Sequence, residues 1–227
     1  VRYAIREDYA AMLGLYMNEE GVHVSLCDMA YGERERFFFP ATDRSPVYTL
    51  YEAVRRGQEL AGSQRIVSIG IGVEGTSDPD RGIVVESEAF GWSQVHLREL
   101  VERRFGLPVY VDHPARALCI HELLFSGSDM LTDFAFLLSR FPHQAVLVLD
   151  RQGVCGPSFR CGKIEDPQEL VTCMRVTDTP VLITDMEIDS GHLRRAMPIS
   201  RGISPEQACC LMAEVRWFWS IYDLSRE

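Results

Sequence analysis

The sequence lacks any excess of positive charge: among its 227 residues, 23 lysines and arginines face 33 aspartates and glutamates, a net charge of −10. A surface that binds DNA needs clustered basic side chains to displace counterions from the phosphates. The basic pairs at 55–56, 103–104 and 194–195 stand beside acidic residues, which is typical of solvated helix faces. We therefore expect no direct contact between this chain and nucleic acid.

The sequence also lacks the features of a secreted or membrane protein. Its seven cysteines form no C-x-x-C pair and no regular spacing, so we expect reduced thiols rather than a disulfide scaffold. No early apolar segment has the flanks of a signal peptide, and the longest apolar runs are far shorter than the ~20 residues of a membrane span. These absences predict a cytoplasmic protein that does not enter a membrane.

Hydrophobic residues make up 46% of the chain and charged residues 25%, a composition that excludes disordered and low-complexity classes. No internal repeat is visible. Short apolar runs alternate with segments of helical periodicity, which favours an α/β fold over a sandwich or a helical bundle.

The first part of the chain predicts an antiparallel meander followed by a helix. Strands are expected at 2–5, 11–17, 22–28 and 35–40, because residues 22–28 alternate with period two. A helix over 48–60 ends at Gly62. The β-branched run at 65–73 then predicts a buried strand that leads into a glycine-containing loop at 74–79, a junction where α/β folds place ligands.

The remaining elements are predicted from periodicity and from stop signals. They are a helix at 97–105, a strand at 107–112, a helix at 115–125, strands at 134–139 and 145–150, a polar loop at 154–166 and a strand at 181–184. The last is a helix over 205–222, which Ser204 and Pro205 open as N-cap and first helical residue.

A string of short motifs follows the predicted buried strand. It reads GIGVEG at 70–75, DP at 78–79, GIV at 82–84, FGW at 90–92, LREL at 97–100 and FGLPVYVD at 105–112. In order and spacing the string resembles the ROK family of sugar kinases and sugar-responsive repressors. Members of that family read G-I-G-V-P-G-x-V-D-P, G-x-V, S-P-N-L-G-W, L-R-E-L-L and G-L-P-V-Y-V-D-N-D-A-N-A.

The resemblance implies an actin-like, ribonuclease H-like α/β fold with two lobes around a cleft. The N-terminal lobe would span 1–125, and the C-terminal lobe, incomplete or rearranged, would span 126–227. Residues 1–15 resemble the stretch after the linker in the family's repressors, so a helix-turn-helix domain is expected upstream. The chain is thus most like the effector domain of a NagC or xylose-repressor type regulator, and self-association as a homodimer or tetramer is implied.

The family's phosphoryl-transfer motifs are changed in this sequence. YMNEEG at 16–21 stands where the kinases have D-x-G-G-T, and RFPHQ at 140–144 stands where they have G-T-G-I-G-A-G. The general base of the kinases, the second Asp of V-D-N-D-A-N, aligns with Pro114, which cannot accept a proton. We therefore expect no enzymatic activity, no catalytic residue and no cofactor.

Five residues align with the family's sugar contacts and are our candidate ligand-binding residues: Gly75, Glu88, His113, Lys163 and Asp166. Only the backbone around Gly75 is unchanged. His113, in place of an Asn, could bind a sugar hydroxyl or could be a satisfied half-buried side chain. Asp112 is expected to cap the helix from Ala115.

The family's zinc cluster is missing as well. A tetrahedral zinc site needs four close ligands, and of the C-x-C-G-x-x-G-C motif only Cys173 remains within reach. We predict no metal, with Cys161, Cys209 and Cys210 as buried apolar side chains.

These observations leave three functional hypotheses. The first is a ligand-sensing and oligomerisation domain of a ROK-type transcription regulator that responds to a sugar or a sugar derivative. The second is a divergent sugar kinase, with Asp166 or Glu88 as base and Arg140 or Lys163 as phosphate ligands. The third is a protein-binding scaffold without a small ligand, which would use the aromatic side chains of the last helix: Trp217, Phe218, Trp219 and Tyr222.

Overall fold

A computed structural model of the chain describes residue 6, residues 9–125, five later strands and residues 203–224. Side chains are described for residues 6, 9–122, 125 and 203–217. The chain forms two compact units, one made of Val1–Ala117 with Ser204–Glu227 and the other of Leu118–Ile203.

The first unit is built from β1 (Ala11–Asn18), β2 (Gly21–Asp28), β3 (Glu33–Pro40), α1 (Pro46–Ala61), β4 (Ile66–Val73), β5 (Thr76–Asp78), β6 (Ile83–Ser87), β7 (Trp92–Val95), α2 (Leu97–Phe105), β8 (Val109–Asp112), the start of α3 (Pro114–Phe125) and α4 (Pro205–Leu224). Its main sheet has the strand order β3-β2-β1-β4-β8. The first three strands are antiparallel, while β4 and β8 run parallel to β1. The predicted meander over 11–40 is confirmed, and the strand predicted at 2–5 lies outside the described residues.

Two helices cover one face of this sheet. Helix α1 begins after Ser45, whose hydroxyl accepts the Tyr48 N–H at 3.4 Å, and it ends at Gly62. Helix α2 ends at Gly106, which adopts the left-handed conformation that favours glycine. Both helices were predicted from their periodicity. The core between sheet and helices contains nineteen buried residues, among them Leu13, Leu15, Leu50, Ile69 and Val101.

Helix α4 covers the opposite face, and two glycines allow it to lie directly on the strands. A Cβ built on Gly14 would lie 2.0 Å from the carbonyl oxygen of Glu206, and a Cβ on Gly70 would lie 2.0 Å from that of Cys209. Strand β4 is consequently buried along its whole length. Cys209 and Cys210 are fully buried, as predicted.

The position of α4 in the first unit does not agree with the domain boundary predicted between residues 125 and 126. That boundary assigned all of 126–227 to the second lobe, whereas Ser204–Glu227 belongs to the first unit. The physical reason is the contact of α4 with Gly14 and Gly70, residues more than a hundred positions away in the chain. None of the helices in the described part of the chain is long and apolar enough to cross a membrane.

A small antiparallel sheet of β5, β6 and β7 follows β4. The predicted loop at 74–79 is therefore wrong in part, because Thr76–Asp78 forms a strand. Its three residues are polar and do not alternate with apolar ones, so the sequence offers no period-two signal.

The second unit contains β9 (Phe134–Leu138), β10 (Gln144–Val148), β11 (Arg160–Lys163), β12 (Val181–Thr184) and β13 (Arg195–Pro198). Their order is β11-β10-β9-β12-β13, with two antiparallel pairs on one side of β9 and two parallel pairs on the other. This is the strand order of the first unit. The strands predicted near 134, 145 and 181 are confirmed, whereas the polar loop predicted at 154–166 contains β11, and β13 was not predicted.

Strand β3 is an edge strand of the main sheet in the described part of the chain. Its first four residues, Glu33, Arg34, Glu35 and Arg36, are all exposed and alternate in charge. Arg34 pairs with the buried Asp28 at 2.6 Å, and Arg36 pairs with Glu33 at 2.8 Å.

We expect Gly70→Ala to lower the free energy of unfolding by about 2 to 3 kcal/mol, because the new methyl group would overlap the Cys209 carbonyl oxygen. Urea unfolding measures the change. The control is Gly91→Ala, because Gly91 has φ 60 and no atom lies within 4 Å of the new Cβ. This variant should lose only about 1 kcal/mol, the cost of an alanine in the left-handed conformation. An equal or smaller effect at Gly70 would contradict the close contact with α4.

Candidate functional site

The candidate site lies where β4 and β8 end. These neighbouring parallel strands place Gly72 opposite Asp112, so the residues that follow both strands meet at one edge of the sheet. Ligands of α/β proteins commonly bind at such an edge.

Gly75 connects this edge to the small sheet. It has φ 127, and a Cβ at this position would lie 2.1 Å from the Glu86 carbonyl oxygen. Both the backbone conformation and the close approach to β6 require a glycine here. The predicted site residue Gly75 therefore brings its loop against the end of β6.

The residues after β6 form the second part of the site. Ser87 is 1% exposed, and its Cα lies 3.0 Å from a Cβ built on Gly75. Its hydroxyl has no hydrogen-bond partner among the described residues. Glu88 is exposed in a turn that the Gly91 N–H closes by donating to the Glu88 carbonyl at 3.1 Å. Glu88 is thus free to approach a ligand, next to a buried hydroxyl.

His113 and Asp112 follow β8 and form the third part. His113 is 1% exposed rather than half-buried, and burial lowers its pKa to about 4. Its Nδ1 accepts the Ala115 N–H at 3.1 Å, and its carbonyl accepts the Arg116 N–H at 3.0 Å. His113 is therefore the N-cap of α3, and the prediction that Asp112 caps this helix is wrong because α3 begins one residue earlier than predicted.

Asp112 instead joins the strands and the helix. Its Oδ1 accepts the His113 N–H at 2.7 Å and the Ser77 hydroxyl at 3.3 Å, while its Oδ2 lies 3.3 Å from Arg116 Nε. Burial raises the pKa of this carboxyl, and the charge of Arg116 opposes the shift. Through Ser77 this network connects β8 to the loop that contains Gly75.

Pro114 is the first residue of α3, a position that suits proline because its missing N–H would have no helical partner. It is buried, and its Cβ lies 3.2 Å from a Cβ built on Gly72. The proline ring therefore fills the space directly beside the ends of β4 and β8.

One pair of site residues was not predicted from the sequence. The hydroxyl of Tyr16 on β1 donates a hydrogen bond to the carboxylate of Glu74, the residue just after β4. The Tyr16 ring stacks on His23 with a centroid distance of 5.6 Å, and His23 contacts Phe38. Burial, followed by this hydrogen bond, raises the pKa of Tyr16. The sequence shows a glutamate, Glu74, within the GIGVEG motif. It does not show that the partner of Glu74 is Tyr16, because Tyr16 lies on a different strand.

The other two predicted site residues belong to the second unit. Lys163 is the last residue of β11 and pairs with Gln144 of β10, while its side chain lies outside the described residues. Asp166 and Arg140 also lie outside them, as do Cys173 and the side chain of Cys161. Within the described ranges, no group of three or more His, Cys, Asp or Glu side chains could hold a metal ion.

Known proteins of the same kind are similar to this chain, and three of them illustrate the range. The xylose repressor of Caldicellulosiruptor bescii is 22% identical over 166 residues, which cover 70% of this chain and 42% of the repressor. The structure of a ROK family transcriptional regulator, a homolog of the E. coli MLC protein, superposes with a TM-score of 0.59 at 22% identity over 71% of this chain and 43% of that one. The ROK hexokinase of Thermus thermophilus gives a TM-score of 0.66 at 16% identity over 94% and 99% of the two chains.

These similarities confirm the actin-like fold. The matched segment covers less than half of the length of the xylose repressor. The ROK family model matches residues 23–138, more than half of the sequence. The matched range contains most of β2 and all of β3 to β9, including Gly75, Glu88 and His113. With the motif string, the strand order and this match in agreement, the chain belongs to the ROK family.

Proposed function

We propose that this chain is the non-catalytic, ligand-sensing domain of a ROK-type transcription regulator that responds to a sugar or a sugar derivative. The observation that carries the proposal is Pro114, which stands at the end of β8 where the family's kinases have their general base. A proline ring has no atom that can take a proton from a sugar hydroxyl.

The residues around Pro114 support a site without phosphoryl transfer. Glu74 is held by Tyr16 at the ends of β4 and β1, and Glu19 and Glu20 form the turn between β1 and β2. Phosphoryl transfer needs cations and backbone amides near the phosphates. Negative side chains at this edge would repel a nucleotide phosphate rather than hold it.

The same edge suits a ligand with many hydroxyl groups. The exposed Glu88 carboxylate and the exposed backbone at Gly75 are donors and acceptors of the kind that sugars require. The roles of Lys163 and Asp166 in ligand binding stay predictions from the resemblance to the family, and we propose that His113 contributes through its position at the start of α3.

Regulation is proposed from the similarity to a xylose repressor and to an MLC homolog. DNA would be bound by a domain outside this chain, because the net charge of −10 disfavours direct contact with phosphates. Sugar occupancy would shift the population of two conformations, and the attached domain would respond to that shift. Self-association as a homodimer or tetramer stays a prediction.

A sugar kinase is the second candidate, favoured by the similarity to a ROK hexokinase over 94% of this chain. The scaffold hypothesis loses part of its support, because Trp217 packs against an apolar cluster that contains Met12 and Cys210. Phe218, Trp219 and Tyr222 have side chains outside the described residues.

The first prediction from this proposal separates a ligand sensor from a sugar kinase. Purified protein mixed with ATP, magnesium and a panel of hexoses should produce no ADP above the protein-free blank in a coupled assay. A hexose-dependent turnover that disappears in Asp166→Ala would overturn the non-catalytic assignment.

The second prediction concerns ligand binding. Glu88→Ala should weaken binding of the recognised sugar by about tenfold, the loss of one charge-assisted hydrogen bond. Thermal shift against a panel of sugars and sugar phosphates measures it, since a bound ligand raises the unfolding temperature. The matched control is Glu86→Ala, an exposed glutamate on β6, which should bind as the wild type does.

Lys163 provides a second readout for the same prediction, because it is the only lysine in the sequence. The sugar that shifts the unfolding temperature should slow acetylation of Lys163 without slowing that of the α-amino group. A shift in unfolding temperature without protection of Lys163 would remove Lys163 from the site, and no shift with any sugar would contradict the sensor proposal.

The third prediction follows from the buried imidazole of His113. Its pKa falls from 6.5 to about 4 on folding, so between these values the unfolded chain binds a proton that the folded chain does not, and stability decreases as the pH falls. Urea unfolding from pH 7 to pH 4 should show that His113→Asn removes about 2 to 3 kcal/mol of this decrease.

Burial raises the pKa of Glu214 to about 7, which gives stability the opposite dependence on pH. The quantity to compare is therefore the difference in the free energy of unfolding between wild type and His113→Asn at each pH. If this difference stays constant from pH 7 to pH 4, His113 is protonated equally in the folded and the unfolded chain, and the prediction is wrong.

A further inference from the structure

A cavity of about 310 Å³ opens on the first unit, beside the residues of the candidate sugar site but lined by other side chains. The β1–β2 turn, the segment before α1 and the turn after β6 meet here. A cavity of this size lies at the lower end of the range for small-molecule sites. It contains none of the five predicted ligand-binding residues.

The inner wall of the cavity is apolar. Met17 and Val22 are each 1% exposed, and Phe90 lies against Trp92 with a centroid distance of 4.8 Å. These three side chains, with Ala89, provide a surface that an aliphatic group can cover. Covering such a surface releases water and favours binding of a ligand with an apolar part.

The outer rim carries two opposite charges. Glu19 and Arg44 both line the cavity, and neither forms an ion pair with the other or with any other described residue. The Arg44 guanidinium lies 4.2 Å from the centre of the Tyr48 ring, which holds the cation at the rim. Arg44 therefore attracts a negative group, and Glu19 attracts a positive group.

The surroundings of Arg44 add to its preference for a carboxylate. Arg44 precedes α1, whose first turn contains no acidic residue, so no side chain of that turn neutralises the positive end of the helix dipole. The hydroxyls of Thr42 and Thr49, 3.3 Å apart, line the same side of the cavity. A carboxylate can accept hydrogen bonds from the Arg44 guanidinium and from whichever of the two hydroxyls does not donate to the other.

From these contacts we infer that the cavity binds a small zwitterion with one carboxylate, one ammonium group and a short apolar side chain, the chemistry of an α-amino acid. The carboxylate meets Arg44 and the two threonines, the ammonium meets Glu19, and the side chain covers Met17, Val22 and Phe90. A phosphate dianion is disfavoured by Glu19. This cavity shares none of its lining residues with the five residues predicted to bind the sugar.

The test is calorimetric titration of the full chain with apolar α-amino acids, each compared with its deaminated acid and its decarboxylated amine. The matching amino acid should bind at least about tenfold more tightly than either analogue. Arg44→Gln should remove the preference over the amine, and Glu19→Gln should remove the preference over the acid.

Arg55→Gln is the matched control, because Arg55 is an exposed arginine of α1 outside the cavity; it should bind as the wild type does. Thermal unfolding of each variant checks that it is folded. The inference is wrong if no α-amino acid binds, if an analogue binds as tightly as its amino acid, or if neither rim variant changes the preference.

Discussion

Backbone atoms of α4 touch backbone atoms of β1 and β4, and the arrangement of the first unit depends on this contact. Gly14 and Gly70 have no side chain to separate the layers, so the helix lies against the strands themselves. The Cys210 thiol donates to the Ser25 carbonyl at 3.2 Å, and the Tyr31 hydroxyl donates to the Gln207 carbonyl at 2.8 Å. These bonds satisfy polar groups that the close contact removes from water.

The contact also determines where a ligand can bind. With α4 on one face and α1 and α2 on the other, both faces of β4 are closed. At the edge where β4 and β8 end, the buried carboxylate of Asp112 holds Ser77 of β5 and the start of α3 together. The candidate site is thus positioned by buried polar groups, while its exposed residue Glu88 remains free to meet a ligand.

Local patterns allowed most of the first unit to be predicted. Strand β4 is an unbroken run of apolar and small residues, and α1 and α2 both end at a glycine, so each could be read from adjacent residues. The partners of distant residues could not be read in this way. The packing of Gly14 on α4, the hydrogen bond between Tyr16 and Glu74 and the pairing of the polar strand β5 all join segments that the sequence separates.

The same limit applies to the site and to the repeated strand order. The position of Gly75 followed from a motif, whereas the two alternatives for His113, a sugar contact or a satisfied half-buried side chain, could not be separated without knowing where α3 begins. No repeat is visible in the sequence, although both units have the same order of strands. Strand order is a property of pairing, and many different apolar patterns can produce it.

Strand β3 has a consequence for self-association. Its first four residues are all charged and exposed, and its register with β2 shifts between Leu26 and Cys27, so that Glu33 and Arg36 share a face and pair at 2.8 Å. Charged side chains and an irregular register on an edge strand both disfavour pairing with a strand of another copy. We therefore expect an oligomer of this chain to be built through a surface other than β3.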